Sequence, residues 1–415
     1  MPAPAPRRIL LADADAFFVA VARLADPDGA GRAPLLIVGG SAEQRGVVTS
    51  ASYEVRKFGV RSGMPMARAK RLCPQATVVP VPRGLCSAKS REIRRVLERF
   101  APVVAPASID EWYLDLGGTE ALYGHEPLAA TAHRIRDAVI AGTGLSVSFG
   151  GGTSRLVAKL AVERAKPKPG SGADGVHVVA PGDEPAFLQT VELAELPGVG
   201  PRLQERLRRH GLVTVPDALA CDHAALVRAT GSERTASWLQ QRVRGIDDSP
   251  VQPRGEAKSI SRDETFARDL HDDADFAREL WRLVVRAAGD LRRSGYRART
   301  VTVRVRDADF TTRQASRTLP EAIETERAIG QVAEALLARL RRARRVGARL
   351  LGVSLSGFGG AEPPAQLALF GAGEPPLETA RDRAVTRALE AVRARFGADG
   401  VMPGKLVGRP GRKRP

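Results

Sequence analysis

Two apolar runs about a hundred residues apart end in carboxylates, and they limit the folds open to this chain more than any other feature. The first is L-L-A-D-A-D-A-F-F, with Asp13 inside the run; the second is S-I-D-E-W-Y-L-D-L, with Asp110 beside Glu111. Each reads as a buried strand reaching its end. A fold that brings the two ends together gathers three hard oxygen ligands around divalent cations, the constellation phosphoryl transfer needs. Acids at strand ends also serve as helix caps or solvated turns, and Asp15 is placed to cap the helix beginning A-F-F-V-A-V. Asp13, by contrast, lies inside the strand pattern, and adjacent Asp110 and Glu111 repel unless a cation sits between them.

At 415 residues the chain is too long for one core, and two to four domains are expected. Lys and Arg number 64 against 47 Asp and Glu, a formal net charge of +17, which points to a polyanion partner. The same excess also arises where Arg and Ala dominate composition, so charge alone does not decide for nucleic acid. Cys73, Cys86 and Cys221 form no C-x-x-C pair, which speaks against a disulfide framework or a zinc ribbon and fits reducing cytoplasm. The N-terminal M-P-A-P-A-P-R-R lacks a signal-peptide core, and no stretch approaches the ~18 apolar residues of a membrane span. The expectation is a cytoplasmic protein with no membrane segment.

Strand-like runs at Ile9 to Ala12, Leu35 to Val38, Gly46 to Thr49, Glu111 to Leu116 and Ser146 to Gly150 alternate with helical patterns, as in an α+β domain. A Pro/Gly-rich break at 166–175 precedes a helical segment over about 184–249, and S-P-V-Q-P-R-G marks a further boundary. From Lys258 to Phe358 the pattern reads strand, helix, strand, strand, helix, strand, a split βαβ sandwich. Its helices, near 273–293 and 323–343, carry apolar residues at helical spacing. A linker by composition covers 361–376, followed by a short helix over about 377–396 and a basic tail that reads as disordered.

Several segments carry candidate chemistry. Phe17 and Phe18 point about 100° apart on a helix, so one can enter the core while the other overlooks the site. In R-G-V-V-T-S-A-S-Y-E-V-R-K-F-G-V-R-S-G-M-P, Tyr53 and Arg56 share a helical face and can jointly hold triphosphate oxygens, with Ser50 nearby and Lys159 a further phosphate candidate. L-P-G-V-G followed by R-L-Q-E-R-L has the form of a helix-hairpin-helix; Gly198 and Gly200 let backbone N–H groups approach DNA phosphates, and Arg202, Arg206, Arg208 and Arg209 add charge. Arg297, Arg299, Arg304 and Arg306 lie on or beside one strand, Arg313 and Arg317 on its neighbour, and Arg304 and Arg306 can track a duplex backbone. Each of these groups also has a plainer reading as core or solvated face.

In order and spacing, these blocks resemble the Y-family translesion DNA polymerases, and the bacterial DNA polymerase IV branch most closely, over residues 7 to about 358. The resemblance rests on D-A-D-A-F-F, the Arg45-to-Pro65 block, S-I-D-E-W-Y-L-D-L, V-A-K-L-A followed by K-P, and L-P-G-V-G. It implies an α+β multidomain right hand: an N-terminal segment and first palm strand at 1–12, palm at 13–32 and 83–168, fingers at 33–82, a helical thumb with the helix-hairpin-helix at 169–250, and a βαββαβ little finger at 251–360. The linker at 361–376 and a C-terminal helix and tail at 377–415 follow. By position, Asp13, Asp110, Glu111 and the Ala14 carbonyl would hold two Mg²⁺ ions, with Mn²⁺ an alternative. Ser50, Tyr53, Arg56 and Lys159 would hold the dNTP, and Phe18 would be the steric gate against a ribose 2′-hydroxyl. Departures from the family pattern are Ala22, Cys86 and K-P-K-P-G-S-G-A-D-G.

Gln366, Leu367, Leu369 and Phe370, in Q-L-A-L-F, look like the bacterial sliding-clamp binding motif. Apolar anchors in a linker suit a partner groove, or else the chain's own little finger. The expected activity is low-fidelity translesion synthesis without proofreading on primer-template DNA, by a monomer. The alternatives are a non-catalytic clamp-tethered mutasome subunit, which would be expected to lose acidic ligands, and a nucleotide cyclase, which leaves the hairpin, little finger and clamp peptide unexplained.

Overall fold

The computed structural model describes residues 6–167, 172–253, 255–358, 376–397, 400–401 and 404–406. The chain divides into two compact units, residues 1–42 with 46–254, and 43–45 with 255–415. The first begins with β1 (Ile9–Ala14), α1 (Phe17–Ala25), β2 (Leu36–Gly39), β3 (Val48–Ala51), α2 (Tyr53–Arg56), α3 (Met66–Leu72) and β4 (Thr77–Val79). It continues with α4 (Arg83–Leu97), β5 (Val103–Pro106), β6 (Glu111–Asp115), α5 (Leu128–Thr143), β7 (Val147–Gly152), α6 (Arg155–Ala165) and β8 (Val176–Val178). Five helices close it: α7 (Glu184–Leu188), α8 (Pro201–Arg209), α9 (Val215–Leu219), α10 (His223–Thr230) and α11 (Glu233–Val243).

Every residue of β1 is buried, because β1 is the middle strand of a sheet ordered β5-β6-β1-β7-β8. A strand covered on both faces reads as a continuous apolar run. Alternation then sorts its side chains: Leu10, Ala12 and Ala14 pack against Ile93 and Leu97 of α4 and Ile135 and Val139 of α5, whereas Ile9 and Leu11 pack against Ala158 and Val162 of α6. The α6 face is unusually close to the sheet. A Cβ added at Gly150 of β7 would come within 2.2 Å of the Ala158 carbonyl oxygen and the Val162 backbone nitrogen, so only glycine admits the helix here.

A separate three-stranded sheet, β3-β2-β4, has its own core of Ile37, Val48, Val55 and Met66. The helices α7 to α11 surround Leu196, Val199, Leu207, Leu226 and Leu239. Strands β4, β5 and β8 fall where no strand is expected from the sequence; β4 and β8 have three residues each, too few to show a period.

The second unit runs β9 (Ser259–Leu270), α12 (Asp273–Arg293), β10 (Ala298–Asp307), β11 (Thr312–Ile323), α13 (Glu326–Ala343), β12 (Ala348–Phe358) and α14 (Ala380–Phe396). Its four strands pair antiparallel in the order β11-β10-β12-β9. Val301, Val303 and Val305 face α12 and α13, so the strand–helix–strand–strand–helix–strand pattern of the sequence is the observed order. The C-terminal helix α14 docks on this unit. Arg327 pairs with Asp382, Arg292 with Glu390, and Arg393 with Glu326, while Leu377 and Leu406 pack on the unit's core. Gln366, Leu367, Leu369 and Phe370 lie outside the described residues. Among the described residues no helix is long and apolar enough to cross a membrane.

Candidate active site

Strand register brings the two acidic clusters together. Asp13 of β1 lies opposite Glu111 of β6, and the Ala14 backbone N–H donates to the Asp110 carbonyl at 2.9 Å, so Asp110 sits alongside Ala14. Asp13 shares parity with Ile9 and Leu11, and Glu111 with Tyr113, which places both carboxylates on the α6 face. That face also carries two lysines spaced two helical turns apart. Lys159 Nζ lies 2.8 Å from Glu111 Oε1 and 3.8 Å from Asp13 Oδ2; Lys166 Nζ lies 3.0 Å from Asp13 Oδ2 and 2.6 Å from Glu163 Oε1.

Burial pushes the Asp13 carboxyl up to about 6, Glu111's charge adding to the shift while Lys166 and Lys159 oppose it. Burial works against the Lys166 ammonium, but the charge of Asp13 and the bond to Glu163 outweigh it, so its pKa stands above the usual lysine value. Lys159 is likewise raised, burial being outweighed by Glu111 and Asp13.

Among the described residues no three His, Cys, Asp or Glu side chains converge as a metal-holding group. The reason is local. Asp110 Oδ1 accepts from Ser108 Oγ, while Glu111 and Asp13 face the lysines. The donor set nonetheless suits a hard cation: it is all oxygen, and two ammonium groups stand beside the carboxylates as cationic stand-ins.

Around this centre the other expected residues gather unevenly. Phe17 is buried and Phe18 half-buried against the same core, their rings edge to face at 5.4 Å. Tyr53 and Arg56 do share a face: the guanidinium lies 5.0 Å from the Tyr53 ring centroid, and its Nε donates to the Ala51 carbonyl at 2.9 Å. Burial raises the Tyr53 pKa, with Asp15 and Asp13 adding to the shift and Arg56 and Lys166 opposing it, so the phenol stands within the field of the carboxylate site. Ser50 is buried on β3. Asp15 does not cap α1. The N-cap is Ala16, without a side-chain bond, and the Asp15 carboxylate instead accepts from Ser146 Oγ and Ser148 Oγ.

In the helical region Gly198 has φ +103°, and an added Cβ would press on the Trp238 ring at 2.8 Å. Gly200 is the N-cap of α8 without a side-chain cap, and Arg202 is exposed in its first turn. This leaves backbone N–H groups and a guanidinium turned to solvent. In the second unit Arg304 and Arg306 lie on the face of β10 opposite Val301, Val303 and Val305, half-buried, with Arg306 Nε 2.9 Å from Thr312 Oγ1. That face is otherwise hydroxyl-rich, with Thr300–Thr318 and Thr302–Ser316 pairs at 3.0 and 2.8 Å. Arg313 is not part of it. Its guanidinium makes two bonds to the fully buried Asp307, at 3.0 and 2.8 Å, a structural role that strand alternation alone does not reveal.

Sequence reasoning singled out Lys159 but not Lys166, which caps the C-terminus of α6; its seven-residue spacing from Lys159 was the signal that could have found it. Ser146 and Ser148 carried no signal, since their role depends on the β1–β7 pairing.

Comparison with known proteins agrees with the motifs. The impB/mucB/samB family matches residues 12–163, its C-terminal domain 257–369, and the IMS family HHH motif 181–212. DNA polymerase IV of Dehalococcoides mccartyi (strain CBDB1) is 36% identical over 399 residues, 96% of this chain and 97% of that protein. DNA polymerase IV of Gluconobacter oxydans (strain 621H) is 38% identical over 86% of this chain and 97% of its own length. Among solved structures, the Y-family DNA polymerase chimera Dbh-Dpo4(243-245)-Dbh is similar with a TM-score of 0.74 and 25% identity, covering 85% of this chain and 99% of that one. An insertion ternary complex of Dbh DNA polymerase is similar with a TM-score of 0.59, 25% identity and the same coverage. With relatives this similar over nearly the whole chain, a matching helix-hairpin-helix motif and Y-family structural neighbours, the chain belongs to the Y-family DNA polymerases, in the DNA polymerase IV branch, and is a DNA-directed DNA polymerase.

Proposed function

We propose that the chain performs translesion synthesis, extending a primer past damaged template bases by two-metal nucleotidyl transfer, with Asp13, Asp110, Glu111 and the Ala14 carbonyl holding two Mg²⁺ ions. The observation that carries this reading is the β1–β6 register, which sets Asp13 opposite Glu111, with Asp110 beside Ala14, at one end of the central sheet. When bound, the ions supply Lewis acidity, lowering the pKa of the primer 3′-hydroxyl and neutralising charge on the triphosphate and departing pyrophosphate. Lys159 and Lys166 hold the dNTP phosphates once they exchange the carboxylates for phosphate oxygens, joined by Ser50, the Tyr53 hydroxyl and the Arg56 guanidinium. Phe18 meets the sugar and excludes a 2′-hydroxyl. Primer-template DNA is held through its phosphates by the Gly198–Arg202 hairpin and by Arg304 and Arg306, contacts that do not read sequence. Gln366 to Phe370 tether the enzyme to a sliding clamp, as the motif's apolar anchors suggest.

The test is extension of a labelled primer on an undamaged template and on one bearing an abasic site, with four dNTPs and Mg²⁺. Full-length product past the abasic site supports the lesion-bypass reading. Robust synthesis on the undamaged template with a complete stop at the abasic site overturns it for that lesion while leaving the polymerase intact.

A further inference from the structure

One buried acid near the site has no part in the chemistry above. Asp15 is 9% exposed, yet both its carboxylate oxygens are taken: Ser148 Oγ donates to Oδ1 at 2.7 Å and Ser146 Oγ to Oδ2 at 2.6 Å. Its backbone N–H donates to the Ser146 carbonyl at 3.0 Å. Three bonds to β7 and the residue just before it thus hold one residue. The next residue, Ala16, has φ 45° and ψ 41°, a left-handed conformation that a residue with a Cβ keeps only where its surroundings impose it. The Ala16 carbonyl accepts from Val19 and Ala20, at 2.8 and 3.0 Å, so the direction of this elbow sets the first turn of α1, where Phe18 lies.

From this geometry we infer that Asp15 is a positioning residue for sugar selection. Clasped by Ser146 and Ser148, it fixes the β1–α1 elbow and thereby the place of Phe18, so discrimination between dNTP and rNTP depends on Asp15 through Phe18. This rests on the reading of Phe18 as the gate. A carboxylate suits the task because two hydroxyl donors converge on it in a buried setting, and bonds to an ionised acceptor are the stronger kind.

The experiment measures kcat/KM for a dNTP and its matching rNTP on a primer-template, using the full chain as wild type, Asp15→Ala, Phe18→Ala and the double variant. Asp15→Ala is expected to lower discrimination on the order of tenfold, with a smaller fall in dNTP use. In the double variant discrimination equals that of Phe18→Ala alone, because the effect of Asp15 passes through the ring. A merely structural role would lower both substrates' rates in proportion and leave their ratio unchanged. Unchanged discrimination in Asp15→Ala overturns the inference, as do losses that multiply in the double variant. If Asp15→Ala does not fold, Ser148→Ala and Asp15→Asn, which keep part of the clasp, are expected to shift the ratio in the same direction, and no shift in either overturns it. Should Phe18→Ala alone leave discrimination intact, the gate reading fails. A loss in Asp15→Ala would then have another route, and the coupling is overturned.

Discussion

Gly150→Ala joins the local sequence of β7 to catalysis through a single methyl group. The added Cβ would lie 2.2 Å from both the Ala158 carbonyl oxygen and the Val162 backbone nitrogen, and 2.7 Å from Val162 Cα. All three are backbone atoms of α6, so no rotamer change relieves the clash. Ordinary contact between carbon atoms needs about 3.5–4 Å, so the helix must withdraw by roughly 1 Å or more. Overpacking of this kind costs about 1–3 kcal/mol, and a rigid helix backbone puts the change near 3 kcal/mol. At ~2–4 °C per kcal/mol for a unit of this size, melting falls by about 6–12 °C. The same withdrawal shifts Lys159, 2.8 Å from Glu111, and Lys166, 3.0 Å from Asp13. Misplacement by 1 Å can cost about a hundredfold in rate. Thermal melts combined with single-turnover dNTP incorporation well below the melting temperature read both effects. Gly84→Ala is the control: it lies early in α4 with nothing within 4 Å of an added Cβ, and is expected to gain about 0.4–1 kcal/mol. If Gly150→Ala melts and incorporates like the control, the close approach of α6 is not what holds the lysines at the site.

Lys166→Ala removes a charge-assisted contact worth roughly 1.5–3 kcal/mol, so kcat/KM for dNTP should fall about ten- to hundredfold in steady-state assays; an unchanged value denies Lys166 a place in nucleotide binding. Arg313→Ala leaves the buried Asp307 with Arg344 at 2.9 Å as its remaining guanidinium, and should cost about 3 kcal/mol in urea unfolding. A wild-type unfolding midpoint would contradict that. Asp13 holds its proton up to about pH 6, because burial disfavours its charge. Its raised folded value means that this group favours the fold below the usual carboxylate pKa and that the contribution is lost as pH rises through about 6. Ion binding needs the charged form, so the Mg²⁺ concentration giving half-maximal extension should climb as pH falls through about 6 and level off above it; a flat profile argues against Asp13 as a ligand.

The legible parts of the fold are those whose side chains obey one period over many residues. The α12 helix was readable because Leu280, Leu283, Val284, Ala287 and Leu291 all face one core, and β1 because both its faces are covered. Three-residue strands such as β4 and β8 carry no period, and α14 has a polar stripe that gives no hint of its ion pairs to the second unit's core helices. In the candidate site, the meeting of Asp13 with the Asp110-Glu111 pair could be expected from two short motifs, since strand ends and adjacent charges leave a mark in one dimension. The clasp on Asp15 and the Lys166 contact to Asp13 depend on which strand and helix become neighbours, a fact of tertiary pairing. Arg313 illustrates the converse: a basic residue on an exposed-looking strand is consumed by a buried carboxylate.

The proposed mechanism stands or falls on Asp110 and Glu111 holding catalytic ions instead of merely opening β6. Single-turnover incorporation by the double variant Asp110→Asn, Glu111→Gln, measured beside its affinity for the same primer-template, tests it most directly. If the two carboxylates hold the ions, incorporation falls by several orders of magnitude with DNA binding and melting temperature close to wild type. Incorporation near the wild-type rate in the folded, DNA-bound variant would contradict it.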